Sequence, residues 1–184
     1  MFGQAPTNLS TGPFDLFGPR DIAFGSDGNL WVTDTGNARI QVYTPQGAYV
    51  RTIGSRGNGP GQFDEPVGIA SGPDGRIYVA DMYNSRVVIL GPAGEQVGAF
   101  AVPGWGGRDV ADKPYLTVLH DGRVALSLPS LNEVRVYQPD GQLAATIKPD
   151  PEPLTAPYGI AETADGKLWI VEGGSGRVRQ FSLP

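Results

Sequence analysis

The stretch Asp-Gly-Asn-Leu-Trp-Val-Thr-Asp-Thr-Gly-Asn-Ala-Arg-Ile-Gln-Val-Tyr, Asp27 to Tyr43, returns later as Asp-Gly-Arg-Ile-Tyr-Val-Ala-Asp-Met-Tyr-Asn-Ser-Arg-Val, Asp74 to Val87. Outward from this pair, Asp-Gly turns stand at Asp27-Gly28, Asp74-Gly75, Asp121-Gly122 and Asp165-Gly166, spaced by 47, 47 and 44 residues. A fixed period of a few tens of residues marks a repeated supersecondary unit. A short apolar run precedes each turn: Asp21 to Phe24, Val67 to Ala70, Tyr115 to Leu119 and Tyr158 to Ala161. A second run follows it: Leu30 to Thr33, Ile77 to Ala80, Val124 to Ser127 and Leu168 to Val171. A third begins at Ile40, Val87, Val134 and Val178. Turns at Pro45-Gln46-Gly47, Pro92-Ala93-Gly94 and Pro139-Asp140-Gly141 lead to a fourth, Tyr49 to Ile53, Gln96 to Phe100 and Leu143 to Ile147.

Each unit therefore reads as four short strands rich in Val, Ile and aromatics, joined by Gly, Pro and Asp turns. The runs are nearly continuous in apolar residues, which implies sheets covered on both faces, as when four-stranded blades stack around an axis. A β-sandwich would not demand a 47-residue sequence repeat, so the reading is an all-β propeller. Its units span about 18–65, 66–112, 113–156 and 157–184 of a single propeller region, with 1–17 as the end of a preceding blade and its linker. The fourth unit stops after its third strand, so the last blade is incomplete and the propeller is expected to be open or partial. Open blades would expose apolar faces and unpaired strand edges, which invites self-association. A closed four-bladed ring would demand unusually strong blade twist.

The two quoted stretches resemble NHL repeats, and the linker Gly57 to Ile69, Gly-Asn-Gly-Pro-Gly-Gln-Phe-Asp-Glu-Pro-Val-Gly-Ile, resembles that family's inter-blade segment. The resemblance covers practically the whole chain and is strongest over the first two units. It implies an NHL-type β-propeller of four blade units, each a four-stranded antiparallel sheet. It also implies recognition of a protein or glycan, by a region corresponding to the C-terminal four blades of a bacterial NHL-repeat protein. NHL propellers usually have six blades, so the chain is expected to be either the C-terminal part of a longer propeller or a unit whose copies cover one another. Val102-Pro-Gly-Trp followed by Lys113-Pro-Tyr-Leu is similar to NHL regions that follow membrane-embedded segments in bacterial proteins, which implies an extracytoplasmic, cell-envelope location.

Composition sets bounds on function. The 184 residues include 27 Gly and 17 Pro, and with 40% hydrophobic content these serve turns of a folded chain rather than a disordered one. Fourteen Lys and Arg against 19 Asp and Glu give a net charge of -5. That balance argues against nonspecific binding to nucleic acid, and against the RNA-binding role of some animal NHL proteins, because both need clustered positive charge. Direct membrane insertion is not expected, since no stretch approaches the roughly 20 apolar residues of a span. Met1 to Pro13 lacks the basic and apolar regions of a signal peptide, so for an exported or membrane-tethered protein the targeting element is expected outside the chain. The absence of Cys removes disulfides and thiolate chemistry.

Seven residues after each Asp-Gly aspartate stands Asp34, Asp81, Leu128 or Glu172, and twelve after it Arg39, Arg86, Glu133 or Arg177. Three units keep acid and arginine together and one loses both, as expected of structural ion pairs Asp34–Arg39, Asp81–Arg86 and Glu172–Arg177. The alternative is a ring of carboxylates holding a cation, but a metal site wants converging unpaired oxygens. Trp31, Tyr78 and Trp169 share one repeat position, with Ala125 in the odd unit, and read as inter-blade core. Asn37 and Asn84 recur in the turn between second and third strands, where Asn tolerates left-handed geometry.

No catalytic residue is assigned. His120 is the only histidine, too few for the zinc site of amidating-lyase propellers, and no serine stands in a nucleophile elbow. No cofactor and no metal are expected, although a metal-dependent propeller hydrolase, lactonase or lyase stays open as the enzymatic alternative. The candidate ligand face lies where inter-blade linkers meet the turns between second and third strands. Residues there that depart from the repeat are the candidates: Arg20, Arg56, Tyr83, Trp105, Arg108, Tyr115 and Tyr158. Arginines and aromatics form binding hot spots. Tyr115 and Tyr158 could equally line the channel wall.

Overall fold

The computed structural model describes residues 12–105 and 113–183. The first blade is β1 (Ile22–Phe24), β2 (Leu30–Asp34), β3 (Arg39–Tyr43) and β4 (Tyr49–Ile53), and the second is β5 (Pro66–Ser71), β6 (Ile77–Asp81), β7 (Arg86–Leu90) and β8 (Gln96–Ala101). The third is β9 (Leu116–Val118), β10 (Val124–Leu128), β11 (Glu133–Tyr137) and β12 (Leu143–Ile147), and the fourth β13 (Pro157–Glu162), β14 (Lys167–Glu172) and β15 (Arg177–Ser182). Each blade is a meander with its strands in sequence order, antiparallel throughout, and among the described residues the fourth has three strands.

The Asp-Gly turns explain themselves chemically. Asp27, Asp74 and Asp121 each accept, through Oδ1, the backbone N–H two residues on, at 3.0, 3.1 and 3.0 Å. The following Gly28, Gly75 and Gly122 take φ of 76°, 79° and 86°, a region that strains any side chain. At the other end of the second strand a single 3-10 turn leads into the third. The left-handed residue of that turn is Ala38, Ser85 or Asn132, one position after the asparagines expected there. Asn37 and Asn84 instead donate their side-chain amides to Asp34 and Asp81, both at 2.8 Å.

Three apolar clusters lie between successive blades. Trp31, Ile40 and Ile53 of the first meet Ile77, Val79 and Leu90 of the second. Tyr78, Val87 and Phe100 of the second meet Leu116, Leu126 and Tyr137 of the third. Val134, Val136 and Ile147 of the third meet Leu168 and Ile170 of the fourth. Strands β3, β6 and β10 are buried along their whole length, the consequence of sheets covered on both faces. The far face of the fourth blade is the exception. Trp31 and Tyr78 are each 1% exposed, whereas Trp169 at the same repeat position is 39% exposed, with Val171 and Val178 beside it in solvent.

Candidate functional site

In strand register, Asp34 faces Arg39, Asp81 faces Arg86 and Glu172 faces Arg177, each across the end of the second and third strands. Asp34 Oδ2 lies 2.7 Å from Arg39 Nε and Asp81 Oδ2 lies 2.9 Å from Arg86 Nε, with both carboxylates fully buried. Each pair also grips the incoming inter-blade linker. Asp34 accepts the Phe17 N–H at 2.7 Å, and Arg39 donates to the carbonyls of Gly12 and Asp15. Asp81 accepts the Asp64 N–H at 2.7 Å, and Arg86 donates to the carbonyls of Asn58, Gly59 and Gln62. Burial pushes the Asp81 carboxyl up, against the opposing pull of Asn84, the Asp64 amide and Arg86.

The fourth blade keeps the Glu172–Arg177 pair and adds a second arginine to it, and the third blade shifts its pair. Arg177 is half exposed and its guanidinium stands 3.8 Å from Glu172, whereas Arg179 reaches the same carboxylate at 3.4 Å and donates to the carbonyl of Glu152 at 2.9 Å. Glu172 accepts from the Thr155 N–H and hydroxyl, both at 2.9 Å. Burial alone would raise the Glu172 carboxyl, but Thr155, Ser175 and Arg177 together outweigh it and hold the group below its ordinary range. The third blade, which has Leu128 at the acid position, moves the pair along its third strand. There Glu133 meets Arg135 at 2.6 Å, and Arg135 grips the carbonyl of Pro103. Two-residue displacement keeps a side chain on the same face of a strand, so the grip survives the change of position.

Held in this way, the linkers of the first two blades wall a cleft of about 390 Å³. Phe17, Gly18 and Arg20 form one side, Thr35 and Gly36 the turn of the first blade, and Arg56, Asp64, Glu65 and Tyr83 the other side. Three of the seven predicted ligand-face residues, Arg20, Arg56 and Tyr83, thus come together from three separate segments. Arg56 Nη1 pairs with Asp64 at 2.7 Å, and its Nη2 donates to the Gly36 carbonyl at 3.2 Å. Glu65 pairs with Lys113, which is 3% exposed and lies 5.1 Å from the centre of the Tyr83 ring. Arg20 is exposed, and its guanidinium has no hydrogen-bond or ion-pair partner among the described residues. The cleft's carboxylates Asp64 and Glu65 are thus already matched by cations.

The remaining candidates lie elsewhere. Trp105 is not on the ligand face: it packs with Val102, Leu116 and Leu128 between the second and third blades, because a large ring gains more from that apolar gap than from solvent. Tyr115 is half-buried on a groove of about 440 Å³ lined by the inner strands of all four blades, along the axis rather than in the linker cleft. Asp21 lines the same groove and accepts the Ile69 N–H of the next blade at 3.0 Å, and burial raises its carboxyl. Tyr158 is half-buried at the start of β13, packed so closely on Gly173 that a Cβ there would fall 2.2 Å from its ring. Arg108 lies outside the described residues.

Sequence reasoning missed Glu65 and Lys113. The signal was present, since Lys113 stands where the other units have Pro19, Pro66 and Pro157. Glu65 holds φ at 61°, where the first blade uses Gly18 at 59°, an uncommon conformation for a side-chain-bearing residue. His120 sits at the Asp121-Gly122 hairpin, the opposite end of its blade from the linkers, with Nδ1 3.0 Å from Glu162. Among the described residues no three His, Cys, Asp or Glu side chains converge to hold a metal ion. No helix among them is long and apolar enough to cross a membrane.

Four-stranded meander blades stacked face to face, with linkers and turns gathered at one end, define a β-propeller-type protein. The chain belongs to the virginiamycin B lyase family, whose profile matches residues 14–183. Among solved structures it is similar to a catalytically inactive virginiamycin B lyase from Staphylococcus aureus with quinupristin, at 22% identity and a TM-score of 0.69, covering 96% of this chain and 58% of that one. It is also similar to the WD40 β-propeller domain of Doa1, at 14% identity and a TM-score of 0.66, covering 96% of this chain and 53% of that one. At these identities the likeness is one of fold. The chain spans little more than half the length of these neighbours. No curated protein matches it.

Proposed function

We propose that the protein is a noncatalytic interaction module that binds a protein or glycan in the linker cleft between its first two blades. The observation that carries this reading is the gathering of Arg20, Arg56 and Tyr83 on one cleft. Function grafted on a repeat fold sits where the repeat is broken, and the repeat partners of Tyr83 are Gly36, Ser130 and Gly174. The NHL-like character of the first two units favours recognition over catalysis, and with it a bacterial, extracytoplasmic setting. Self-association through the exposed far face of the fourth blade accompanies the proposal. The test is capture on glycan and peptide arrays by the whole chain and by an Arg56→Ala/Tyr83→Ala variant. Specific capture that the variant loses supports the reading, and an array blank for both chemistries overturns it.

Family membership favours a second reading, a lyase. The S. aureus enzyme was crystallised with quinupristin, and the same compound is the natural first substrate to try here. Consumption of quinupristin by the purified chain, followed by chromatography with and without added divalent cations, would establish this reading in place of the first.

A further inference from the structure

Resting on the self-association reading rather than on the cleft, we propose that two copies of the chain close head to tail into one ring, the far face of each fourth blade seating on the first blade of the other copy. The repeat divides every blade-to-blade contact into two halves. A rear half, four and thirteen residues after the Asp-Gly aspartate, meets a front half on the next blade, five before and three after its own aspartate. Trp31 and Ile40 lie with Ile69 and Ile77. Tyr78 and Val87 lie with Leu116 and Val124. Ala125 and Val134 lie with Ile160 and Leu168. The last rear half and the first front half stand in solvent instead. Trp169 and Val178 of the fourth blade are 39% and 57% exposed, and Ile22 of the first is 57% exposed with Phe24 beside it at 60%.

These two exposed halves are the two sides of a contact the chain already makes three times, so a second copy carries the complement of each. Joining two fourth blades through the same face would set Trp169 and Val178 against themselves, whereas all three internal contacts pair rear with front. The contact falls on the inner strands. Toward the outer strands the first blade carries Phe14 stacked on Tyr43, with ring centres 6.0 Å apart, while β1 presents Ile22 and Phe24 to solvent. On the fourth blade Ala161 is the register partner of Trp169, and both are exposed. A head-to-tail contact closes into a ring where its rotation allows and otherwise grows into a filament. Two copies of four blades make eight, within the roughly 4–8 of closed propellers, so two such contacts complete the ring and bury both apolar faces.

The test is sedimentation equilibrium on the whole chain and on Phe24→Asp and Trp169→Asp variants, alone and mixed. The parent is expected to run as a dimer that grows no further. Each variant alone is expected to lose the dimer, since it carries a charge into both apolar contacts. An equal mixture of the two is expected to regain it, because one contact then joins an unaltered fourth blade to an unaltered first blade. Circular dichroism of both variants is expected to match the parent, as both side chains are exposed within one copy. A second reading avoids buried charge: in this cysteine-free chain, Phe24→Cys and Ala161→Cys copies are expected to cross-link through a short bismaleimide when mixed, and neither alone. The proposal is overturned by particles that keep growing with concentration, by a variant mixture that stays monomeric, or by Ala161→Cys copies that cross-link to one another. A dimer lost in Trp169→Asp but kept in Phe24→Asp also overturns it, leaving self-association through the fourth blade alone. A monomer at every concentration removes self-association altogether and means that something other than a second copy covers these faces. The arrays test the cleft independently of all these outcomes.

Discussion

Asp34 and Arg39 lie 2.7 Å apart at the buried end of the first blade, and together they hold the linker that forms one wall of the cleft. Asp34 fixes the Phe17 amide, as Asp81 fixes the Asp64 amide one blade later, and both Phe17 and Asp64 line the cleft. The ion pairs are thus structural in their bonding and positional in their effect. They hold the two walls in place without lining the cleft themselves.

Removing one partner of such a pair strands the other. Asp34→Ala takes the carboxylate from the buried Arg39 guanidinium, leaving its charge only carbonyl acceptors, and frees the Phe17 N–H, so it is expected to cost about 3–5 kcal/mol. Denaturant unfolding measures this directly. A cost under about 1 kcal/mol would show that the linker does not depend on the pair.

The fourth blade orders its two arginines. Arg177 is half exposed and reaches Glu172 only at 3.8 Å, whereas Arg179 reaches that carboxylate at 3.4 Å and also bonds the linker carbonyl of Glu152. Arg179→Ala is therefore expected to lower the melting temperature more than Arg177→Ala, whose effect should stay within about 1 kcal/mol. The reverse order would make Arg177 the principal partner of Glu172.

Gly36 has no room for a side chain. A Cβ there would lie 2.1 Å from the Phe17 ring and 2.7 Å from the Phe17 carbonyl oxygen, which is backbone and cannot swing away. Gly36→Ala is expected to cost about 1–3 kcal/mol and to weaken ligand capture, because the linker must shift. Calorimetric unfolding and the arrays read the two effects separately.

Acid acts on two carboxyls in opposite directions. Glu172 is held below its ordinary 4.5, so its contribution is full above that pH and is lost as pH falls through the lowered folded value. Asp21 is raised above its ordinary 3.8, so its contribution is full below that pH and is lost as pH rises through the raised folded value. The stability gap between the parent and Glu172→Gln is expected to be constant near neutrality and to close below about pH 4.5. A gap that widens in acid would contradict the assignment.

Much of this architecture is legible in the chain. Asp-Gly spacing locates the hairpins, and the continuous apolar runs imply blades covered on both faces. The acid and arginine seven and twelve residues on are register partners across one strand pair. What the repeat could not convey is how linkers fold back over blade ends. Trp105 looks like a surface aromatic in a Gly-rich linker, yet the gap between two blades takes it in. Lys113 looks like an ordinary cation until Glu65 and Tyr83, some 30 to 48 residues earlier, are placed beside it. Such contacts depend on tertiary placement rather than on local pattern.

Trp169 offers a spectroscopic handle on the exposed blade face. It is the one of the three tryptophans in solvent, so acrylamide is expected to quench it far more than Trp31 or Trp105, and Trp169→Phe should remove the quenchable fraction. If copies associate through that face, quenching falls as protein concentration rises and sedimentation shows larger particles over the same range. Unchanged quenching and a monomer at every concentration would rule that association out.

The central claim is that ligand is held by the linker cleft of the first two blades. Hydrogen exchange of the whole chain, with and without a ligand captured from the arrays, tests it most directly. The account predicts slowed exchange at the amides around Phe17–Arg20, Arg56–Glu65 and Tyr83, with little change along the inner strands or the Asp-Gly hairpins. Protection confined to the axial groove around Tyr115, or to the fourth blade around Trp169, would contradict it.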